Sequence, residues 1–343
     1  MSVIAMESFG HLPDGDITTT ELESNVFSGV TGGLHITDLT GGRKYIKSRG
    51  APALGNAPML LGGGYTTIYI GFRLHSTSAP GTWGEGLFLV KDGASVLGFI
   101  TRDSTNHINY RLGSSVLSGV VATSTGTTTT GADDYWVVKV TFDNAAGVVE
   151  FYKNGVLDSS TTGVDTIAAG TQADSVSLFG SGGSLGVSGL TGLSDIWVDD
   201  ATNHGEASVF YRPVDGVGSS ADWTPTGAAS NWECTDEIPP DEDTTYNAST
   251  TSGDLDQLAQ TGMDGAVGSV LAVQAHIRVR KETAAAATLK VGLFHGVTHS
   301  QSAAMALSTS YEQRTAIFED VPGGAGWTPA QLDAAQISYE NTT

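Results

Sequence analysis

Alternation with a period of two constrains this chain more than any other feature. Residues 66–75 read Thr-Thr-Ile-Tyr-Ile-Gly-Phe-Arg-Leu-His, which puts Ile68, Ile70, Phe72 and Leu74 on one face and Thr67, Tyr69, Arg73 and His75 on the other. Residues 135–142 set Trp136, Val138, Val140 and Phe142 against Tyr135, Lys139 and Thr141. Residues 271–280 set Leu271, Val273, Ala275, Ile277 and Val279 against Gln274, His276, Arg278 and Arg280. Side chains alternate across a strand, so each segment is predicted to be a strand with one wet face. Turn residues punctuate them: Asp143–Gly147, Lys91-Asp92-Gly93, and Asn154-Gly155, the pair that a type I′ hairpin demands. Ser/Thr/Gly-rich residues 123–131 and 180–192 read as loops. One short helix is predicted, Pro329 to Ala335 behind a Thr328 cap. Many short strands with Gly-rich turns predict an all-β chain built of antiparallel β-sandwiches.

Composition narrows the function classes. The chain has 45 glycines in 343 residues, only 15% charged residues and a formal net charge of −21. Its 39% hydrophobic content argues against disorder, and the charge repels phosphates, so nucleic acid is not an expected partner. The one cysteine, Cys234, closes no internal disulfide, and carboxylates nearby would raise its thiol rather than activate it. Met1–Glu7 lacks a basic, apolar leader, and runs such as Leu87–Val90 are too short to span a bilayer. The expectation is therefore a cytoplasmically made protein with no signal peptide and no membrane insertion, which leaves the cell by lysis.

The alternation stops over residues 213–249, where Asp236-Glu-Ile-Pro-Pro-Asp-Glu-Asp243 holds five acids in eight residues. Residues 1–212 hold 20 acids and 11 bases; residues 213–343 hold 17 and 5. The expected organisation is a first sandwich over 1–212, an acidic Pro/Gly-containing connector over 213–249 and a second sandwich over 250–343.

Tyr135–Phe142, Gly147–Val156 and Gly192–Asp200, in that order, resemble the strand ladder of laminin-G-like, concanavalin-A-like jelly rolls. Ala221-Asp-Trp-Thr-Pro225, Asn231-Trp232, Asp236–Tyr246, Gly268–Gln274 and Gly326-Trp-Thr-Pro329 resemble structural proteins of tailed-bacteriophage virions that carry such a jelly roll. The resemblance implies a virion localisation and a peripheral appendage: a fibre, collar or baseplate-associated part, or a head decoration. It implies partners among copies of the chain itself, as a trimer, and other virion proteins, with host-surface glycan as a further partner. It implies no catalytic residues and no cofactor.

Three chemistries have candidate residues in the sequence. Glucanases of the jelly-roll superfamily place alternating acids along one strand face, and Asp195-Ile-Trp-Val-Asp199 approaches that pattern with Trp197 in the middle and no Glu. A glycan depolymerase is the reading that this segment would support. A carbohydrate-binding adhesin needs an aromatic platform with polar neighbours, for which Trp197 with Asp195 and Asp199, or Trp83 in a Gly-rich loop, are the candidates. Calcium needs six to eight oxygens, and Asp199 with Asp200, or Asp241 with Asp243, are the candidate ligands. His295 and His299 lack the Glu of a zinc helix, and no phosphate loop or nucleophile elbow is present.

Overall fold

The computed structural model describes residues 3–8, 15–17, 34–39, 43–48, 57–77, 80, 84–113, 119–178, 191–237, 240–263 and 268–343. The chain divides into two compact units, Met1–Phe210 and Tyr211–Thr343. Among the described residues the first unit contains β1 (Val3–Glu7), β2 (Gly15–Ile17), β3 (Leu34–Leu39), β4 (Arg43–Ser48), β5 (Ala57–Tyr65), β6 (Thr67–Ser76), β7 (Glu85–Asp92), β8 (Ser95–Arg102), β9 (His107–Arg111), β10 (Val120–Thr127), β11 (Asp133–Thr141), β12 (Gly147–Lys153), β13 (Val156–Val164), β14 (Ala173–Leu178) and β15 (Thr191–Asp199). The second contains β16 (Val214–Ala221), β17 (Thr224–Thr226), a 3-10 turn (Trp232–Cys234), β18 (Tyr246–Ala248), β19 (Leu255–Gln260), β20 (Val273–Val279), β21 (Thr288–His295), β22 (Thr298–Gln301), β23 (Met305–Ala306), β24 (Glu312–Phe318), α1 (Pro329–Ala334) and β25 (Gln336–Asn341).

Two antiparallel sheets make the first unit. One runs β13-β12-β11-β6-β15-β4-β3-β2 with β1 also on β15; the other runs β10-β9-β8-β7-β14-β5. The alternation on β6 and β11 sends Ile68, Ile70, Phe72, Leu74, Trp136, Val138 and Val140 into one core with Phe88, Val90, Ile100, Tyr110 and Val176 of the facing sheet. Phe72 meets Phe88 with ring centroids 4.9 Å apart. Each such buried side chain stabilises the fold by roughly 1.5–3 kcal/mol. Asn154 and Gly155 both adopt positive φ, 49° and 80°, as a type I′ turn requires. The edge strands β13 and β10 are tied without a ladder: the Asp158 carboxylate accepts from the amides of Thr125 and Gly126, both at 2.7 Å. That bond occupies edge amides which would otherwise invite another strand.

Residues 123–131 were expected as a loop, yet β10 runs to Thr127. Threonine and serine are tolerated there because this is an edge strand, with Ser124 buried and bonded to the amide of Ile108. Residues 180–190 of the second expected loop lie outside the described residues.

In the second unit, sheet β16-β19-β25-β21-β22, with β23 on β21, packs against the β20-β24 pair. Leu258, Leu289, Val291, Leu293 and Tyr339 from the first layer share a core with Ala275 and Val279 from the second, and with Trp327 and Leu332. The α1 cap is the predicted one: Thr328 accepts from the Gln331 amide, and the Gln331 side chain accepts from the Thr328 amide.

The stretch expected as a connector is folded into this unit. β16 pairs with β19, and a buried carboxylate fastens the rest. Asp256 accepts from the Trp223 amide (2.9 Å), Asn231 Nδ2 (2.5 Å) and the Tyr339 hydroxyl (2.8 Å). Asn247 Nδ2 donates to both the Asn231 carbonyl and the Tyr339 hydroxyl oxygen. The sequence hid β16 because its residues are Gly216, Gly218, Ser219 and Ser220 rather than alternating apolar ones. Gly218 is required where it stands, since a Cβ would run into the Gln257 carbonyl.

Candidate functional site

The expected acid-bearing strand, β15, is distorted at its centre. Its register on β6 shifts between Ser194 and Trp197, and Asp195 takes a positive φ of 49°. This is a β-bulge, and it changes which side chains go inward. Leu193 joins Ile196 and Val198 in the core, whereas strict alternation would have placed Leu193 beside Asp195. Asp195, Trp197 and Asp199 share one face, as their spacing predicts, and it is the one turned away from the inter-sheet core.

That face is not wet. Residues 199–210 return across it, and Tyr135, Val137 and Trp197 form a buried cluster with Met6, Tyr69, Tyr152 and Ala207. Asp195 is 3% exposed. Its Oδ2 accepts from Arg73 Nε at 2.8 Å and its Oδ1 from the Val209 amide at 3.0 Å, while its carbonyl accepts from the Tyr135 hydroxyl. Arg73 also donates to Glu206 at 2.9 Å and lies over the Tyr135 ring. The left-handed backbone persists because these partners hold it on every side. Both carboxylate oxygens are engaged, so Asp195 is a clamp on residues 206–209.

Trp197 is 2% exposed. Its indole lies on Gly71, where a Cβ would run into the ring. His204 meets it edge-on with centroids 5.0 Å apart, and His204 Nε2 is 2.7 Å from Asp199 Oδ2. No ring face is open to a sugar, which corrects the expected platform of Trp197 with Asp195 and Asp199. Asp199 Oδ1 accepts from the amides of Ala201 (2.6 Å) and Thr202 (2.7 Å). Burial alone would raise the Asp199 carboxyl; the hydrogen bonds from His204, Ala201 and Thr202 outweigh it and hold the group below the usual range. Asp200 Oδ1, beside it, is buried without a hydrogen-bond partner among the described residues. Trp83 lies outside the described residues.

The acids of the second unit are engaged in a similar way. Asp241 Oδ1 accepts from the Thr245 amide and hydroxyl, at 3.1 and 2.7 Å. Glu242 pairs with Arg278. Asp243 Oδ1 accepts from Arg280 at 2.6 Å and from the Tyr311 hydroxyl at 2.9 Å. Both arginines lie against the Tyr311 ring, at 5.3 and 4.8 Å. The acidic run therefore docks on the cationic face of β20 that the alternation had exposed. Asp199 with Asp200 and Asp241 with Asp243 each bring two carboxylates, and among the described residues no group of three or more His, Cys, Asp or Glu side chains gathers. Cys234 is buried, and burial, reinforced by Glu237, raises its thiol.

Two constellations escaped the sequence reading. The Asp256 lock is one. The other is a fully buried pair: Arg102 faces Glu85 at 3.2 Å, and Glu85 also accepts from Thr191. Burial raises Glu85 against the pull of Arg102 and Thr191. Glu85 and Arg102 are 17 residues apart in sequence, at opposite ends of a hairpin, and only the pairing of β7 with β8 brings them together.

No protein-family model matches this chain, and no curated protein matches it. Solved structures similar to it include an endo-beta-1,4-glucuronan lyase from the fungus Trichoderma reesei, at 10% identity over 58% of this chain and 96% of that one, with a TM-score of 0.40. An alginate lyase from Chlorella virus matches at 11% identity over 58% of this chain and 100% of that one, TM-score 0.38. Trypanosoma rangeli sialidase matches at 14% identity over 50% of this chain, TM-score 0.33; the chain spans about a quarter of its length, 27%. Likenesses of this depth assign neither an activity nor a substrate to the chain. Among the described residues no helix is long and apolar enough to cross a membrane.

Proposed function

We propose that the chain is a non-enzymatic structural component of a tailed-phage virion, a peripheral appendage that assembles with copies of itself and with other virion proteins. The observation that carries this reading is where the resemblance falls in the fold. Trp223 of Ala221–Pro225, and Asn231 of Asn231-Trp232, are members of the buried lock around Asp256. Asp241 to Asp243 of the acidic stretch dock on β20. The matching residues are thus the ones that build a second module, as suits a structural protein. The engagement of Asp195 and Asp199 in a clamp and a turn supports the same reading, because both carboxylates hold chain segments together.

Mass spectrometry of purified virions tests the proposal. The chain is expected in intact particles at a fixed copy number, as a trimer when released under mild conditions. Its absence from particles would overturn the reading.

A further inference from the structure

We infer that residues 241–245 form an electrostatic strap, a single unit that docks on the β20–β24 pair and lifts from it as ionic strength rises. Its footing is the cationic corner of the second unit. Residues 211–343 hold six bases, and four of them, Arg278, Arg280, Lys281 and Arg314, lie on or next to β20 and β24. Residues 236–243 hold five acids. The fold brings Glu242 onto Arg278 and Asp243 onto Arg280, across 36 and 37 residues of chain.

The contacts are linked, so each supports the next. Arg278 Nε donates to Glu242 Oε1 at 3.0 Å. One residue on, Asp243 Oδ1 accepts from Arg280 at 2.6 Å and from the Tyr311 hydroxyl at 2.9 Å. Both guanidinium groups lie against the same Tyr311 ring. Tyr311 thus joins the two pairs: its ring holds the arginines and its hydroxyl holds the strap. Within the strap, Asp241 Oδ1 accepts from the Thr245 amide and hydroxyl, and the Asp241 carbonyl accepts from the Thr244 amide. These internal bonds keep 241–245 one compact turn, so Glu242 and Asp243 arrive and leave together. The pairing of β18 with β17 anchors the chain just beyond it.

What joins this turn to β20 is charge at the surface. The Asp243 and Arg280 side chains are 66% and 36% exposed, and that of Glu242 is 39% exposed. Exposed ion pairs are weak and are screened by salt. Glu242 also holds a positive φ of 57°, which costs a residue with a Cβ and is relieved on release. Release uncovers Arg278, Arg280 and Tyr311 together, so the strap decides when the unit presents a cationic, aromatic face.

The test does not depend on the virion reading, since it uses the purified full-length chain. The reporter is the Arg278 Nε–H, whose exchange with solvent is followed by NMR. The Trp223 amide, held by Asp256 in the same unit, is the reference. Raising NaCl from about 0.1 M to about 1 M shortens the Debye length from about 10 Å to about 3 Å. Arg278 exchange is expected to rise about fivefold over that range, with Trp223 unchanged. Asp243→Asn leaves both Arg278 and Glu242 in place, yet it is expected to speed Arg278 exchange about threefold at the lower salt. Arg280→Gln is expected to do the same from the other side of the pair. Asp215→Asn makes the same charge change on the exposed face of β16 and is expected to have no effect. Unchanged Trp223 protection establishes that each variant is folded. The inference is overturned if Arg278 exchange is indifferent to salt, or if either Asp243→Asn or Arg280→Gln leaves it as in the parent. It is equally overturned if Asp215→Asn speeds it as much, or if Trp223 exchange rises in step, because the event is then an opening of the whole unit.

Discussion

The outer face of β15 in the first unit and the outer face of β21 and β25 in the second began as the same kind of surface, the outward side of a sandwich sheet. They end differently. Over β15 the chain itself returns, and Arg73, Glu206, His204 and the amides of 201, 202 and 209 complete the bonding of Asp195 and Asp199. Over β21 and β25, Gln301, Gln336 and His299 each make one side-chain hydrogen bond among the described residues. The more conspicuous residues, a tryptophan between two aspartates, are the ones that hold structure. A side chain is available for recognition when its partners inside the fold have not already completed it, whatever its chemical character.

The largest effect is expected on the clamped side. Asp195→Ala leaves Arg73 buried beside an incomplete partner set and forces alanine into a left-handed backbone. It should cost about 4 kcal/mol in denaturant unfolding. Asp195→Asn keeps a residue tolerant of that backbone and should cost roughly half as much. Were either variant as stable as the parent, the clamp would not be structural. Asp256→Ala should cost about 3 kcal/mol in the second unit, because the Trp223 amide, Asn231 and Tyr339 lose their acceptor together.

Gly71→Ala drives a methyl group into the Trp197 indole. We expect about 2 kcal/mol of destabilisation and a red-shifted tryptophan emission.

The two faces should also separate by pH. The Asp199 carboxyl is lowered in the fold. Its stabilisation is present above the unfolded value of about 3.9 and is lost as pH falls through the folded value. His299 is likewise lowered, so its contribution is present above about 6.5 and is lost as pH falls below that. Melting curves of Asp199→Asn and His299→Asn should each lose one of these two windows and keep the other. The smallest effect is Gln301→Ala, expected within about 0.5 kcal/mol of the parent in stability.

Much of the sandwich was legible because a period of two is a direct print of burial. Ile68 to Leu74 and Trp136 to Phe142 went where the pattern sent them. The Asn154-Gly155 turn and the Thr328 cap were legible because their backbone needs only a few residues to specify them. What stayed hidden depends on contacts between distant residues. The β15 bulge turns on Arg73, 122 residues away from Asp195. β16 is held by backbone bonds and glycines, which leave no hydrophobic pattern. The wet face expected of β6 and β11 is dry at Arg73 and Tyr135, where Glu206, Ala207 and Val209 return over it, and nothing in the alternation of those strands reports a later segment coming back.

Hydroxyl-radical footprinting of the native chain, with each residue's oxidation rate normalised to that of the unfolded chain, compares the two faces in one measurement. Strong protection of Trp197 and weak protection of Phe294 and His299 are the expected result. Rapid oxidation of Trp197 together with full protection of Phe294 and His299 in the free protein would contradict it.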